Sequence, residues 1–183
     1  MKQSSPGASP STWRQSASRF LCDEMLHGLA RWLRAAGYDT VMAAGGSSDR
    51  ELAARCAEEG RVLLTKDRCL AATVAGAAPV VLVPGDGIDG AARGLRNALR
   101  IDWLHAPFTR CIVDNRLLEA APPDWAIRVP ERSRAAGGPL RVCPECGRLY
   151  WPGGHVRRMQ QRLAAWQQAV APSNEQSRFG RAL

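Results

Sequence analysis

The chain has 183 residues, which is enough for one ordinary core with a small appendage and too few for two full-sized domains. Its 45% hydrophobic and 23% charged residues are typical of a folded soluble protein, and no run approaches the ~18 apolar residues of a membrane span. The net charge of +8 favours a polyanionic partner, although nearly all the excess is arginine in an Ala-rich chain, which coding bias would also produce.

Neither end of the sequence predicts ordered structure. Residues 1–18 are rich in Ser, Pro and Gln and lack the apolar stretch of a signal peptide, so we expect them, and residues 171–183, to be disordered tails. We therefore expect a cytoplasmic protein. Thiols stay reduced in that compartment, so the six cysteines are better explained as core residues or metal ligands than as disulfides. Cys22, Cys56 and Cys69 lie in apolar stretches, which predicts small core residues.

The first predicted elements are a strand and a helix. Phe20 to Cys22 form a short apolar run that ends on Asp23. The apolar side chains that follow recur at a 4-3-4 spacing, which predicts a helix that ends at Gly37.

Three further strand-helix pairs follow. After the strand YDTVMA, a capping box of Ser48 and Glu51 predicts a helix over Asp49–Glu59. The strand RVLLTKD ends on Lys66 and Asp67 and precedes a short helix in RCLAATV. The strand PVVLV precedes a helix in GAARGLRNALRIDWL. Four such repeats predict an α/β fold with a parallel sheet flanked by helices.

The composition changes at Pro107, where Pro, Arg and Cys replace the long apolar runs. We therefore expect a core domain over residues 19–106. A smaller satellite over residues 107–170 follows, and the helix in HVRRMQQRLAAWQQAV closes it.

Three carboxylates follow strands or begin helices at one predicted edge of the sheet. Asp23 and Asp67 follow strands, and Asp49 begins a helix. Carboxylates held close repel one another unless a cation compensates, and Mg²⁺ or Mn²⁺ prefers such oxygen ligands. Lys66 could hold a phosphate beside them, and Asp86 in the turn PGDG is a weaker fourth candidate. Taken singly, each acid also fits a helix start or a turn.

The segments FLCDEMLHGLARWLRAAGYDT, SSDRELAARCAEEGRVLLTKD and CPECGRLYWPGGH together resemble the Mut-seven C-terminal ribonuclease family. The resemblance covers about residues 19–165 and implies a PIN-like nuclease domain followed by a zinc ribbon. It also implies metal-dependent RNA cleavage at an acid cluster, which corresponds here to Asp23, Asp49 and Asp67.

A second candidate metal site lies in the satellite. Cys143 and Cys146 form a Cys-x-x-Cys-Gly knuckle, which typically supplies two of the four ligands of a tetrahedral Zn²⁺. The partner half departs from the family pattern, because Cys111 is followed by Asp114 in place of a second cysteine. The fourth ligand is then Asp114 or His155.

Two alternatives to this zinc site stay open. The ribbon could fold without metal around four side chains, Trp125, Leu149, Tyr150 and Trp151. His155 could instead contact RNA beside Arg157 and Arg158, or cap the last helix.

The leading functional hypothesis is a Mg²⁺- or Mn²⁺-dependent ribonuclease that holds RNA on an arginine-rich surface, with Lys66, Arg157 and Arg158 as candidate contacts. The alternative is a noncatalytic module that binds nucleic acid through the ribbon and through Arg157, Arg158 and Arg162, while the acids are vestigial. Other RNA paths would follow Arg31 and Arg34, or Arg93 and Arg96. A phosphatase of the haloacid dehalogenase type is excluded, because Asp-Glu-Met follows the first strand where that class needs Asp-x-Asp-x-Thr.

Overall fold

The computed structural model describes residues 18–135 and 137–169. Its larger sheet has four parallel strands in the order β2-β1-β3-β4. They are β1 (Arg19–Cys22), β2 (Asp39–Met42), β3 (Val62–Thr65) and β4 (Val80–Leu82). Four helices alternate with them, α1 (His27–Ala35), α2 (Asp49–Glu59), α3 (Arg68–Val74) and α4 (Gly87–Leu99). The predicted α/β fold with a parallel sheet is confirmed.

Helices cover both faces of the sheet, because successive strand residues point to opposite sides. Phe20, Cys22 and Leu64 contact the face covered by α1 and α4. Leu21 and Leu63 contact the face covered by α2 and α3. Strand β3 is buried throughout and β1 is buried from Phe20 to Cys22, which explains why these two runs are continuously apolar in sequence.

Several local signals act as their residue types predict. Ser48 and Glu51 form the capping box of α2, and Gly60 ends that helix at φ 62°. Gly37 follows α1 at φ 100° and packs against Ala106. A Cβ at this position would lie 2.5 Å from the Ala106 carbonyl oxygen. The expectation of a buried Cys69 was wrong, because Cys69 lies on the solvent side of α3, where Leu70 and Val74 pack inward.

The satellite contains a three-stranded antiparallel sheet in the order β5-β6-β7. Its short strands are β5 (Glu119–Ala120), β6 (Arg141–Val142) and β7 (Leu149–Tyr150). A 3₁₀ helix (Pro123–Arg128), α5 (Glu131–Ala135) and α6 (Gly154–Gln168) complete it. Apart from Ser18, the tails expected at residues 1–18 and 171–183 lie outside the described residues. Among the described helices, none combines the length and apolar character needed to cross a bilayer.

Helix α6 returns to pack on the larger sheet's helices. Its Trp166 ring lies 4.7 Å from Trp32 and 5.0 Å from Trp103, centroid to centroid, in edge-to-face geometry. Asp89 on α4 accepts a hydrogen bond from the Trp166 indole at 2.7 Å and three from Arg162 at 3.0 to 3.1 Å. Arg162 is therefore occupied by a structural contact.

The buried side chain of Arg34 joins α1 to the satellite. Its guanidinium donates to the carbonyl oxygen of Thr40 on β2 at 2.7 Å and to those of Ile112 and Val113 at 3.2 and 2.6 Å. Only 7% of Arg34 is exposed, and burial lowers its pKa. An RNA path along Arg34 is therefore excluded by its position.

Asn115 covers the same edge of β2 from the satellite side. Its side-chain oxygen accepts from the Thr40 amide at 3.0 Å, and its Nδ2 donates to Asp39 Oδ1 at 2.7 Å. Asp39 also accepts from the buried Arg61 at 2.8 Å. Side chains thus satisfy the outer backbone groups of Thr40, as a neighbouring strand would.

We expect Arg34→Met to destabilise the fold by about 3 kcal/mol, because two buried carbonyls and one partly buried carbonyl lose a charged donor. Urea unfolding should show this as a lower midpoint. Arg31→Met on the exposed side of α1 is the matched control and should change stability by less than about 0.5 kcal/mol. Equal effects of the two substitutions would contradict the role assigned to Arg34.

The Asp39 carboxylate should make folding stability depend on acid pH. Burial raises its pKa, but hydrogen bonds from Arg61 and Asn115 outweigh burial and lower the pKa from 3.8 to about 2. A depressed folded-state pKa adds stability that is present above about pH 4 and is lost as the pH falls towards 2.

Wild-type protein should therefore lose about 1 to 2 kcal/mol more than Asp39→Asn across that pH range, after allowance for solvent screening. Urea unfolding at several pH values measures the difference. Parallel curves for the two proteins below pH 4 would contradict the assignment.

Candidate active site and metal centre

Two of the predicted acids follow neighbouring parallel strands. Asp23 follows β1 and Asp67 follows β3, and the Asp23 amide donates to the Leu64 carbonyl at 3.0 Å. The chain moves from β1 outward to β2, and then crosses to β3 on the other side of β1. The strand order therefore reverses between β1 and β3, which is where open α/β sheets form their ligand crevice.

The hydroxyl of Thr65 connects these two acids. It donates to Asp23 Oδ2 at 2.7 Å and accepts from the Asp67 amide at 2.9 Å. Thr65 is fully buried at the end of β3, so its hydroxyl has a fixed position. Its only signal in the sequence is a hydroxyl residue two positions before Asp67, which by itself predicts no role in a site.

Backbone amides at the start of the next helix also hold Asp23 and Asp67. This helix is a 3₁₀ helix (Glu24–Leu26) after Asp23 and α3 after Asp67. Asp23 Oδ1 accepts from Glu24 N at 2.6 Å, and Asp67 Oδ1 accepts from Cys69 N and Leu70 N at 2.7 and 3.2 Å. Asp23 and Asp67 therefore also have the capping role expected of single acids at helix starts.

Asp49 is the first residue of α2, after the loop that leaves β2. Glu24 holds that loop, since its carboxylate accepts from the Gly46 amide at 3.1 Å. Asp49 is half-buried, whereas Asp67 is exposed. We call the edge that carries Asp23, Asp49 and Asp67 the acid edge.

The acid edge is more open than the cysteine cluster of the satellite. In the part of the chain that the structure describes, the three acids do not form a group of ligand atoms within 4.8 Å of one another. The group that meets this distance consists of Cys111, Asp114, Cys143 and Cys146. Thr65 links Asp23 and Asp67, whereas no hydrogen bond among the described residues joins Asp49 to either of them.

The candidate basic contacts differ in how free they are. Lys66 is half-buried and donates to the Gly85 carbonyl at 2.9 Å, which ties the end of β3 to the turn before α4. Arg157 and Arg158 are exposed on the first turns of α6, and Arg157 donates to the Pro152 carbonyl at 3.0 Å.

The satellite brings three thiols and one carboxylate together. The ligand atoms of Cys111, Asp114, Cys143 and Cys146 all lie within 4.8 Å of one another. The two thiols Cys111 and Cys146 are 3.9 Å apart, and Asp114 Oδ2 lies 3.4 Å from the sulfurs of Cys111 and Cys143.

These separations fit a tetrahedral zinc site. Bonds of about 2.3 Å to sulfur and 2.0 Å to oxygen place two sulfurs about 3.8 Å apart and a sulfur and an oxygen about 3.5 Å apart. The cluster could therefore hold a metal such as zinc through three thiolates and a carboxylate.

The two halves of the cluster share one backbone pattern. In the first knuckle, residues 111–116, Cys111 N donates to Arg116 O and Asn115 N donates to Cys111 O. In the second knuckle, residues 143–148, the same bonds join Cys143 to Arg148 and to Gly147. The residue before each arginine has positive φ, 65° at Asn115 and 67° at Gly147. Asp114 thus occupies the position of Cys146 in the other knuckle.

Of the two candidate fourth ligands, only Asp114 belongs to the cluster. His155 is exposed on the first turn of α6 and lies outside the group of close ligand atoms. A hydrogen bond from Cys146 lowers the pKa of Asp114, and the same bond raises the pKa of the Cys146 thiol to about 12. A bound cation would reverse this order by favouring the thiolate.

Comparison with known proteins assigns the chain to a family. Residues 18–163 match the Mut7-C RNAse domain. The chain belongs to this family. The Mut7-C assignment agrees with the family indicated by the sequence motifs, and it supports a nuclease.

A related human protein carries the name exonuclease mut-7 homolog. It is 44% identical over 61 residues, which are 33% of this chain and 7% of that protein from Homo sapiens. The Mut7-C chain thus spans a small fraction of that relative's length. No solved structure matches this chain.

Zinc content should depend on Asp114 and not on His155. We expect Asp114→Ala to lower the zinc content of purified protein, because the cluster keeps only three ligands, while His155→Ala leaves it unchanged. Asp114→Cys should make zinc harder to remove by a chelator, because a thiolate is a softer ligand. Elemental analysis measures each result, and wild-type protein without zinc would refute the site.

Proposed function

We propose that the protein is a metal-dependent, PIN-like ribonuclease that cleaves RNA phosphodiester bonds endonucleolytically at the acid edge. The observation that supports this most directly is the hydroxyl of Thr65 between Asp23 and Asp67, because it orients two acids at a strand-order reversal. Membership of the Mut7-C RNAse family supports the same reaction class.

The donor chemistry of the acid edge fits a hard divalent cation. Asp23, Asp49 and Asp67 supply carboxylate oxygens, which Mg²⁺ and Mn²⁺ prefer. Such an ion supplies Lewis acidity and lowers the pKa of a bound water. Asp67 is the most exposed of the three acids, and its two amide bonds to Oδ1 fix its orientation towards solvent.

Zinc has a separate, structural role in this proposal. The ligands Cys111, Asp114, Cys143 and Cys146 belong to the satellite, and the first knuckle contacts β2 through Asn115. Zinc there holds the satellite against the nuclease sheet. The reduced thiols that this site needs agree with a cytoplasmic location.

RNA is held by basic side chains around the acid edge and on α6. Lys66 directly precedes Asp67, and an ammonium has three donors, so its bond to Gly85 leaves others for a phosphate. Arg157 and Arg158 extend the basic surface along α6. The net charge of +8 supports binding of a polyanion over this surface.

A noncatalytic nucleic-acid-binding module is the second candidate. The openness of the acid edge, where Asp49 is joined to the other acids only through the loop that Glu24 holds, favours it. Both candidates predict RNA binding, and only the nuclease predicts loss of activity when single carboxylates are neutralised.

The decisive experiment is cleavage of a circular single-stranded RNA with Mn²⁺, because a circle offers no end to an exonuclease. We expect Asp23→Asn, Asp49→Asn and Asp67→Asn each to abolish cleavage. Thr65→Val should lower it about 10- to 100-fold, since the supporting hydroxyl is lost while the shape is kept. Mn²⁺ should raise the melting temperature of wild-type protein more than that of the Asp variants.

The matched control is Glu58→Gln, which neutralises an exposed acid on α2 away from the acid edge. It should retain wild-type cleavage. Wild-type protein that binds RNA but shows neither cleavage nor a Mn²⁺-dependent melting temperature would favour the binding module instead.

A further inference from the structure

A pocket of about 250 Å³ lies where α1, the satellite sheet and α6 meet. Its floor is apolar and aromatic, with Phe108, Ile112 and Tyr150 buried. Its rim carries three basic side chains, Arg31 from α1, Arg148 from the second knuckle and His155 from α6. We call this the junction pocket. Neither the acid edge nor the cysteine cluster contributes a residue to it.

The charge of the junction pocket is one-sided. Its lining contains Arg31, Arg148 and His155 but no aspartate or glutamate. Over residues 18–135 and 137–169, neither arginine forms an ion pair within 4.0 Å. These guanidinium groups are therefore free to bind an external anion.

The larger groove beside β2 shows the contrast. It encloses about 870 Å³ and is lined by four arginines together with four acids, so its charges balance. Its Arg34 and Arg61 are buried and bonded to the protein itself. Size alone would select this groove as a ligand site, but its arginines are already occupied.

The lining of the junction pocket suits an aromatic ligand. The Trp151 side chain forms part of its wall and lies so close to Gly153 that a Cβ there would be 2.5 Å from the indole nitrogen. Aromatic side chains stack on nucleobases regardless of sequence, and arginines beside them bind the flanking phosphates.

The position of Arg31 relates this pocket to the acid edge. Helix α1 begins four residues after Asp23, and Arg31 lies about 6 Å along the helix axis from its start. Helix α1 therefore runs from the acid edge to the pocket.

We propose that the junction pocket binds one unpaired nucleobase of the RNA substrate, with Arg31 and Arg148 on the adjacent phosphates. This inference rests on the proposed function, since it names a subsite for the same RNA. An apolar floor below an acid-free basic rim matches a base joined to phosphate better than a free inorganic anion, which needs no apolar floor.

Affinity for a short labelled single-stranded RNA, measured by fluorescence anisotropy on the full chain without added Mg²⁺ or Mn²⁺, tests the pocket. Val156→Trp fills it without changing charge and should weaken binding at least about fivefold, because the base is displaced. Ile127→Trp, at a 78% exposed position outside the pocket, is the matched control and should bind as wild type does.

An abasic oligomer with the same number of phosphates separates base recognition from phosphate recognition. Val156→Trp should not alter its affinity. Arg31→Glu and Arg148→Glu should weaken binding of both oligomers more than Arg132→Glu, which makes the same charge change on α5 outside the pocket. Zinc content and melting temperature identify any variant that fails to fold. If Arg148→Glu fails to fold, the result for Arg31→Glu, which lies outside the knuckles, tests the role of the basic rim.

Three results would overturn the proposal. They are unchanged RNA affinity in folded Val156→Trp, an equal loss for the abasic oligomer, and displacement of RNA by an acidic peptide as effective as unlabelled RNA. Asp67→Asn should bind RNA normally and fail to cleave it. If RNA cleavage is intact but the pocket variants bind RNA normally, only the pocket proposal is refuted. If binding depends on the base but no cleavage occurs, only the nuclease proposal is refuted.

Discussion

The outer edge of β2 has backbone groups that need hydrogen-bond partners, and both halves of the molecule supply them. An edge strand leaves backbone N–H and C=O groups without strand partners. Arg34 supplies a donor for the Thr40 carbonyl and Asn115 an acceptor for its amide. Arg34 comes from α1 and Asn115 from the first knuckle, so covering this one residue of β2 fixes the satellite against the sheet. The same guanidinium bonds Ile112 and Val113, which lie inside that knuckle.

The two candidate centres therefore belong to one rigid arrangement with separate tasks. At the acid edge, parallel strands deliver Asp23 and Asp67 to neighbouring positions, and the buried hydroxyl of Thr65 sets their relative orientation. In the satellite, two loops of the same backbone form deliver thiols and one carboxylate. Asp67 is exposed and Asp23 and Asp49 are half-buried, whereas Cys111 and Cys143 are buried.

Local signals predicted most of the larger sheet. Continuous apolar runs, the Ser48 capping box and Gly60 depend on residues close in sequence, and each acted as expected. The remainder depends on contacts between distant residues. Arg34 looked like a surface arginine because its acceptors at residues 112 and 113 are far along the chain. The strands of the satellite have only two residues each, too few for a periodic pattern. The junction pocket forms only where three elements meet.

Asn115 has two structural roles in the first knuckle, which explains why this position is not glycine. Its positive φ completes the turn behind Asp114, where Gly147 performs the same task at lower conformational cost. Its side chain covers Thr40, which no glycine could do. Unfolding of this knuckle would uncover a flat edge of β2 that another copy of the chain could extend. The loop that could hold a metal thus also covers this edge, and loss of the loop's structure would expose the edge to self-association while the larger sheet stays folded.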